Sequence, residues 1–419
     1  MQRGRNENRT HGANTPCVMI PQTGPRPRAI TFDRTLRIRA VLFFLIAANV
    51  FDMGGAVGVK YVSYACALLF ALPELFRVRA PRGELLAVWL LFAVWPAFAL
   101  ARGIYAGADI GLAVSQSTAF AAALLFYFLL SPNRSMWALR VLFATLLALA
   151  VFSIAFVLAG LTLPGNGIFN AIMGYLSSDP GHGYFGMRMM GPALIPNVYF
   201  RATLFYVPAA VYYLITGRAW RALALAFALL VCLSKAGLLI TLAFFAVYLL
   251  VQRRAGIVQK AVVLAAVAAC AVALAQVSPT YLNLIFSSAT GESETVALRV
   301  RHLGSVVDLF ADNPEYLILG AGAGTEFYSE GEGGWVANIE VDHLNAARKF
   351  GLPWLLAFTA LVFTAAWRLF RSGDSEKRAV AAAVAASFLA AGTNPVLLSP
   401  VSLMIIVAAL RASGVADDA

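Results

Sequence analysis

The residues best suited to chemistry lie together in a polar stretch that ends where an apolar segment begins at Gly351. Glu340, Asp342 and His343 supply two carboxylates and an imidazole, and Arg348 follows in the same short segment. Such groups are the usual donors and acceptors of protons in enzymes. We therefore expect acid–base and anion-binding chemistry here. Helix capping with ordinary interfacial charge is the alternative interpretation.

Three further cations precede this stretch. Arg299 and Arg301 belong to a segment, 295–312, that is predicted to be an amphipathic helix. Its apolar stripe at helical spacing comprises Leu303, Val306, Val307 and Phe310. Arginine binds phosphate oxygens through paired hydrogen bonds and stays charged, so these two predict an anion site, with a solvated helix face as the alternative. Lys235 follows an apolar run and is a further candidate for anion binding. Snorkelling of its side chain to the membrane interface is the alternative.

The segment Gly320-Ala-Gly-Ala-Gly324 resembles a dinucleotide fingerprint only superficially, because no strand–turn–helix unit surrounds it. It predicts a tight structural turn; a bare backbone that approaches a ligand is the alternative. The four cysteines, at 17, 66, 232 and 270, have no spacing typical of a disulfide framework or a zinc site.

The composition indicates a membrane protein. Of the 419 residues, 60% are hydrophobic and 13% are charged, whereas soluble domains carry about a quarter of their residues as charges. The net charge of +11 does not indicate a nucleic-acid partner, because the cations form short clusters between apolar runs.

The apolar runs predict an all-α fold: a polytopic transmembrane bundle of about twelve spans. The spans are expected at 40–58, 60–76, 84–101, 110–130, 136–162, 197–216, 219–234, 236–251, 259–277, 351–370, 378–393 and 396–411. Lys and Arg are concentrated in the N-terminal segment and in every second connection, so both termini are expected in the cytoplasm.

This topology divides the chain into a disordered cytoplasmic tail, a bundle of nine spans, an external loop region and three closing spans. The disordered tail is predicted at 1–39, and the bundle of nine spans at 40–277, with a first external loop at 164–196. The large external loop with its short helices is predicted at 278–350, the three closing spans at 351–411, and a second cytoplasmic tail at 412–419. The large loop contains ten of the 21 acidic residues, and connections of this length usually have a function.

Three motifs, in this order, resemble the Wzy-like O-antigen and exopolysaccharide polymerase family, which is grouped with the O-antigen ligases. They are Ser234-Lys235-Ala-Gly237, the stretch from Arg299 through Asn313-Pro314 to Gly320-Ala-Gly322, and Glu340-Val-Asp342 with Phe350-Gly351-Leu-Pro353. The sequence departs from the family at Leu303, where an aromatic residue is common, and at Asn345, where some members carry an acid.

The resemblance implies a glycosyltransferase of the bacterial cytoplasmic (inner) membrane. It would polymerise undecaprenyl-pyrophosphate-linked repeat units at the outer face, with inversion, without a cofactor and without a metal. Implied partners are these lipid-linked glycans, membrane lipid and a candidate chain-length regulator protein. In that interpretation the pyrophosphate is bound by Arg299, Arg301, Lys235 and Arg348, and the base is Glu340, Asp342 or His343.

Other functions remain open at this point. An O-antigen ligase would transfer the same donor to lipid A core, and His182 and His343 keep that alternative, because an external histidine matters in ligases. A transporter or flippase would favour charged midplane residues and two similar halves, and an assembly factor for envelope glycans would need no catalytic site.

Overall fold

A computed structural model describes residues 34–75, 80–163, 165–178, 183–190, 193–251 and 294–414, with 260–261, 264–265 and 268 between the last two ranges. Most of these residues are helical. The helices are α1 (Arg34–Phe51), α2 (Val59–Leu75), α3 (Arg82–Trp89), α4 (Trp95–Tyr105), α5 (Ile110–Leu129), α6 (Pro132–Thr162), α7 (Gly167–Ser178), α8 (Tyr206–Ile215), α9 (Ala219–Val231), α10 (Lys235–Val251), α11 (Glu294–Asp312), α12 (Pro314–Leu319), α13 (Asp342–Phe350), α14 (Leu352–Arg371), α15 (Ser375–Ala390) and α16 (Pro400–Ser413). A π-helical turn, Leu90–Val94, joins α3 to α4.

Two antiparallel hairpins interrupt the helical fold, which the sequence did not predict. They pair β1 (Gly183–Met190) with β2 (Ala193–Phe200) and β3 (Phe327–Ser329) with β4 (Gly334–Val336). Strand β2 occupies the start of the predicted span 197–216, so the helix there begins only at Tyr206, after a 3-10 turn.

Among the described residues, four helical stretches are long and apolar enough to cross a membrane: Arg82–Tyr105, Ile110–Leu129, Pro132–Thr162 and Leu352–Arg371. Crossing takes about 20 residues, so four stretches meet the requirement, against the twelve that the sequence predicts. A helix overlaps each other predicted span except 259–277, which lies largely outside the described residues.

The boundaries of the two predicted tails need correction. Helix α1 begins at Arg34, inside the tail predicted to be disordered, because Arg34 forms an ion pair with Glu74 of α2. The rest of that tail, 1–33, lies outside the described residues. Helix α16 continues to Ser413, beyond the predicted end of the last span.

The centre of the bundle is formed by two short helices. Every residue of α8 from Tyr206 to Leu214, and every residue of α16 from Pro400 to Ala412, is buried. Helix α8 packs against α9 and α15, and α16 packs against α5, α6 and α14. The longer helices therefore surround α8 and α16, and the outer surfaces of the longer helices are exposed.

An aromatic cluster attaches α13 to the bundle. Phe350, the last residue of α13, lies 5.3 Å from Phe120 and 4.8 Å from Trp354, measured between ring centroids. The indole N–H of Trp354 donates a 3.0 Å hydrogen bond to the carbonyl oxygen of Leu91 in the π-helical turn. Widened turns of this kind present backbone carbonyls for such contacts. The cluster fixes where the polar segment 294–350 rejoins the bundle.

The glycine-rich segment 320–324 forms a close structural contact, as the sequence predicts. Gly322 has φ +108°, and a Cβ there would stand 2.4 Å from the backbone nitrogen of Gly103. Its amides are used by the protein: Ala321 donates to the carbonyl of Arg348 and Ala323 to that of Ala99. The segment is therefore packed between α4 and α13.

Helix α11 confirms the predicted amphipathic helix and half of its buried face, because Phe310 packs against the hydrophobic cluster that contains Val306. Val306 is buried, whereas Leu303 and Val307 are 47% and 55% exposed. The fully buried residue is His302, whose Nδ1 lies 2.6 Å from the hydroxyl of Ser329 on β3. The polar contact with the hairpin rotates the helix away from the orientation that hydrophobicity alone predicts.

The close approach at Gly322 leads to a stability prediction. Gly322→Ala adds overpacking to left-handed strain and should lower the free energy of unfolding by roughly 2–5 kcal/mol. Gly333→Ala is the matched control: its φ is +66° and nothing lies within 4 Å of the new methyl group, so only strain of about 1 kcal/mol is expected. Thermal melting of the detergent-purified variants measures both. Equal melting temperatures would contradict the packing account.

Candidate functional site

A cavity of about 350 Å³ lies where four parts of the chain meet. Its wall is formed by the end of β2, the turn between α9 and α10, helix α11, and the connection between α15 and α16. These contribute Tyr199, residues 233–240 in part, Arg299, and Thr393 with Asn394. The cavity brings together Lys235 and Arg299, two of the cations that the sequence singled out.

Lys235 is positioned by a strained turn. Leu233 has φ +58° and is the one non-glycine residue with positive φ among those described. Its turn ends α9 with hydrogen bonds from the amide of Ser234 to the carbonyl of Leu229 and from the amide of Leu233 to that of Leu230. This pattern usually has glycine at the left-handed position, so a leucine costs about 1 kcal/mol. The turn allows α10 to start at once, with Lys235 at the cavity.

The neighbouring serine and glycine of this motif have related packing roles. Ser234 lines the cavity wall together with Tyr199. A Cβ on Gly237 would stand 2.8 Å from the Ser234 hydroxyl oxygen. The glycine therefore leaves space for the serine side chain, which explains the spacing of Ser-Lys-Ala-Gly.

Arg299 contacts the opposite wall. Its Nη2 lies 2.7 Å from Oε2 of Glu340 and donates a 3.2 Å hydrogen bond to the carbonyl of Thr393. Its Nε is buried and has no hydrogen-bond partner within the part of the chain that the structure describes. A buried donor without a partner is unfavourable by about 1–3 kcal/mol. The guanidinium thus retains an unused donor at the cavity.

Glu340 is held in place through the residue before it. The Asn345 side chain accepts from the amide of Ile339 at 3.1 Å and donates to the carbonyl of Ile339 at 2.7 Å. Asn345 is fully buried, whereas the Glu340 side chain is 36% exposed. This clamp leaves the carboxylate at the surface of the site while its backbone is fixed.

Asp342 and His343 face the connection between α15 and α16. Asp342 accepts from the amide of Leu398 at 3.3 Å and its own amide donates to Ala391. Burial raises the pKa of its carboxyl group. The imidazole of His343 lies against the Phe388 ring, 4.5 Å between centroids, and burial lowers its pKa. Neither side chain lines the cavity of Lys235 and Arg299.

Arg348 is fully buried beneath the β3–β4 hairpin. It donates to the carbonyl and hydroxyl of Thr325 at 3.0 and 3.1 Å and to the carbonyl of Ala337 at 2.7 Å. Its guanidinium carbon lies 4.6 Å from the Phe327 ring centroid. Burial lowers its pKa to about 10, so the group stays charged at neutral pH. These contacts give it a structural position away from the cavity of Lys235.

The predicted site residues therefore occupy three different environments. Lys235 and Arg299 line one cavity, and Glu340 pairs with Arg299 without lining that cavity. Asp342 and Arg348 are buried and His343 is partly buried, and none of the three lines the cavity. Arg301 is exposed on α11 and does not line the same cavity.

The sequence did not single out three polar residues of the cavity: Tyr199, Thr393 and Asn394. Thr393 ends the predicted span 378–393, and Asn394 follows it in a connection predicted on the same side as the large loop. Their predicted position on the side of the large loop was the signal that could have identified them as site residues. Tyr199 is in a strand that the hydropathy pattern did not reveal.

The clamp on Glu340 leads to a second prediction. Asn345→Asp removes the donor to Ile339 and puts a carboxylate beside Asp342, which should lower the free energy of unfolding by roughly 2–3 kcal/mol. Asn338→Asp is the matched control, because the Asn338 side-chain oxygen already accepts from the buried ammonium of Lys349 and an aspartate preserves that contact. Thermal melting should give a lower melting temperature for Asn345→Asp than for Asn338→Asp. An Asn345→Asp variant as stable as the wild type would show that the Asn345 hydrogen bonds do not stabilise the fold.

Comparison with known proteins leaves these residues as the basis for a functional assignment. No protein-family model matches the sequence, and no curated protein is significantly similar to it.

Proposed function

We propose that this protein polymerises lipid-linked oligosaccharide repeat units into O-antigen or exopolysaccharide at the outer face of the bacterial cytoplasmic membrane. The observation that carries the proposal is the convergence of Lys235 and Arg299 on one cavity, with Glu340 paired to Arg299 at 2.7 Å. The resemblance of their three motifs to the polymerase family supports it.

The two cations suit a diphosphate leaving group. Arginine presents a planar fork to phosphate oxygens, and lysine adds a point charge. The buried Nε of Arg299, which has no hydrogen-bond partner among the described residues, would become one further donor for such an anion if the side chain rearranges on binding. In our proposal both side chains stabilise the charge that develops on undecaprenyl diphosphate as it leaves.

Glu340 is the proposed general base. When the diphosphate binds, Arg299 exchanges the carboxylate for phosphate oxygens, and the carboxylate becomes available to the acceptor sugar. The acceptor hydroxyl oxygen attacks the anomeric carbon and Glu340 takes its proton. The carbon–oxygen bond to the diphosphate breaks, and undecaprenyl diphosphate leaves with the electron pair. A single displacement of this kind inverts the anomeric centre.

Asp342, His343 and Arg348 are proposed to position the site. Asp342 binds the connection that carries Thr393, and Arg348 fixes the segment before Glu340 through Ala337. Arg301 is proposed to lie in solvent, outside the diphosphate site.

The proposed setting is a polytopic protein with about twelve spans and both termini in the cytoplasm. The four long apolar helices and the alternation of basic connections support it. In this arrangement segments 164–196 and 278–350 lie outside, with the catalytic cavity at the outer surface.

Cysteine labelling tests the orientation. In a background whose four native cysteines are replaced, Glu332→Cys in the external loop should react with a membrane-impermeant maleimide in intact spheroplasts. Ser372→Cys, in the basic connection after α14, should react only after the membrane is permeabilised. Both positions are exposed in the fold. The reverse pattern would exclude an external site.

Gel profiles of surface polysaccharide test the activity in a deletion strain complemented with variants. Arg299→Ala and Glu340→Gln should leave only single-repeat material at normal membrane levels, because each removes one proposed role. Arg301→Ala, two positions away on the same helix but outside the cavity, is the matched control and should restore long polymer.

Other profiles would identify other functions. Long polymer that persists in the deletion strain but is no longer attached to lipid A core would indicate a ligase. Loss of lipid-linked units from the outer face would indicate a flippase. Loss of polymer with Arg301→Ala but not with Arg299→Ala would contradict the assigned site.

A further inference from the structure

A second and larger cavity, of about 820 Å³, lies on the other side of α11. It is bounded by the β3–β4 hairpin, the turn before α5 and the last turns of α11. Its volume falls in the range of small-molecule and oligosaccharide sites, roughly 300–1,000 Å³. The function proposed above does not use it.

Two aromatic rings stand at this cavity in an exposed position. Tyr328 and Trp335 are directly opposite each other on the hairpin, with centroids 6.4 Å apart. They are 53% and 70% exposed, and both line the cavity. An exposed indole beside an exposed phenol offers flat apolar faces together with polar edges, a combination enriched in binding surfaces.

The rest of the lining is acidic. The whole chain has a net charge of +11, yet this cavity contains five carboxylates and one cation. The carboxylates are Asp109, Asp308, Asp312, Glu326 and Glu330, and the cation is Arg348. Ionised carboxylates are pure hydrogen-bond acceptors. They suit a ligand rich in hydroxyl groups and repel phosphate or anionic sugars.

A metal ion is a poorer match for these carboxylates. Within the described residues, no three histidine, cysteine or acidic side chains are grouped closely enough to hold one. The cavity wall also contains the fully buried Arg348, whose Nε has no hydrogen-bond partner in the described part of the chain. A donor and several acceptors around two aromatic rings match the alternating hydroxyls and C–H faces of a sugar.

The position relative to Arg299 fits one glycan that occupies both cavities. Asp308 follows Arg299 by nine positions (308 − 299), which places it on the opposite face of α11 and roughly 13 Å further along its axis. A glycan that starts at the diphosphate would reach the second cavity after a few sugar units.

We propose that this acidic, aromatic cavity is a binding subsite for an uncharged or amino-substituted stretch of the glycan, some sugars away from the reacting end. The inference rests on the proposed polymerase function and extends it. The subsite holds the chain between successive transfers, so it determines how many units are added before release.

Titration calorimetry on the purified full-length protein tests the subsite directly. The probes are phosphate-free oligosaccharides of two to five repeat units, cut from the surface polysaccharide of the host strain. Trp335→Ala should weaken their binding about tenfold, the loss expected for one stacked aromatic ring. Arg299→Ala should leave the affinity unchanged, since these probes carry no diphosphate. Trp367→Ala, at a tryptophan on α14 that is 56% exposed, controls for nonspecific contact.

The cellular phenotype provides an independent measurement. Trp335→Ala combined with Tyr328→Ala should give shorter polymer, whereas Arg299→Ala gives none. Wild-type affinity in the Trp335→Ala variant, or no binding by the wild type, would overturn the subsite while the gel profile of Arg299→Ala still supports the polymerase. Binding that depends on Trp335 in a protein whose deletion leaves polymer intact would establish a glycan site and exclude the polymerase.

Discussion

The polar segment of this protein depends on a buried guanidinium that has no carboxylate partner among the residues that the structure describes. Arg348 is fully buried, and its charge is compensated by carbonyl oxygens, a hydroxyl and the face of Phe327. Desolvating a charge is costly unless hydrogen bonds replace its water. The hydrogen-bond acceptors of Arg348 belong to Thr325 and Ala337, which lie on either side of the hairpin. The hydrogen bonds of Arg348 therefore hold that hairpin against α13. Its place in the last helical turn adds a favourable interaction with the helix dipole.

This constraint organises the two cavities. The segment fixed at Ala337 continues through the Asn345 clamp to Glu340, which meets Arg299 on α11. The same hairpin presents Trp335 to the larger cavity on the opposite side. Helix α11 therefore separates a cationic cavity from an acidic one. In the proposed function that separation matches the two chemical parts of a lipid-linked glycan, an anionic diphosphate and a hydroxyl-rich chain.

Much of the local structure was readable from the sequence, because local signals determine it. Proline and glycine mark the junction at Gly351, and helical spacing identifies α11. Long-range contacts were not readable. The rotation of α11 follows from the bond between His302 and Ser329, which hydrophobic periodicity does not encode. Arg299 and Arg301 point to different faces because residues two positions apart on a helix do not face each other, whereas the convergence of Lys235 with Arg299 depends on packing between distant helices.

The strength of the ion pair at the site is consistent with exchange of partners. Arg299 and Glu340 are 24% and 36% exposed, although the paired oxygen Oε2 is buried. Water therefore screens their attraction only in part, and the pair contributes more than a surface pair, which is worth about 1 kcal/mol or less. Arg411 and Glu84 in the bundle core are 5% and 4% exposed, and breaking a buried pair of that kind costs roughly 3–5 kcal/mol. In the proposed function, a diphosphate with two negative charges would therefore displace Glu340 from Arg299 at a lower cost than that of opening the core pair. In the proposed function, the weaker pair of Arg299 and Glu340 lies where ionic partners exchange. The stronger pair of Arg411 and Glu84 lies in the core, where it stabilises the bundle.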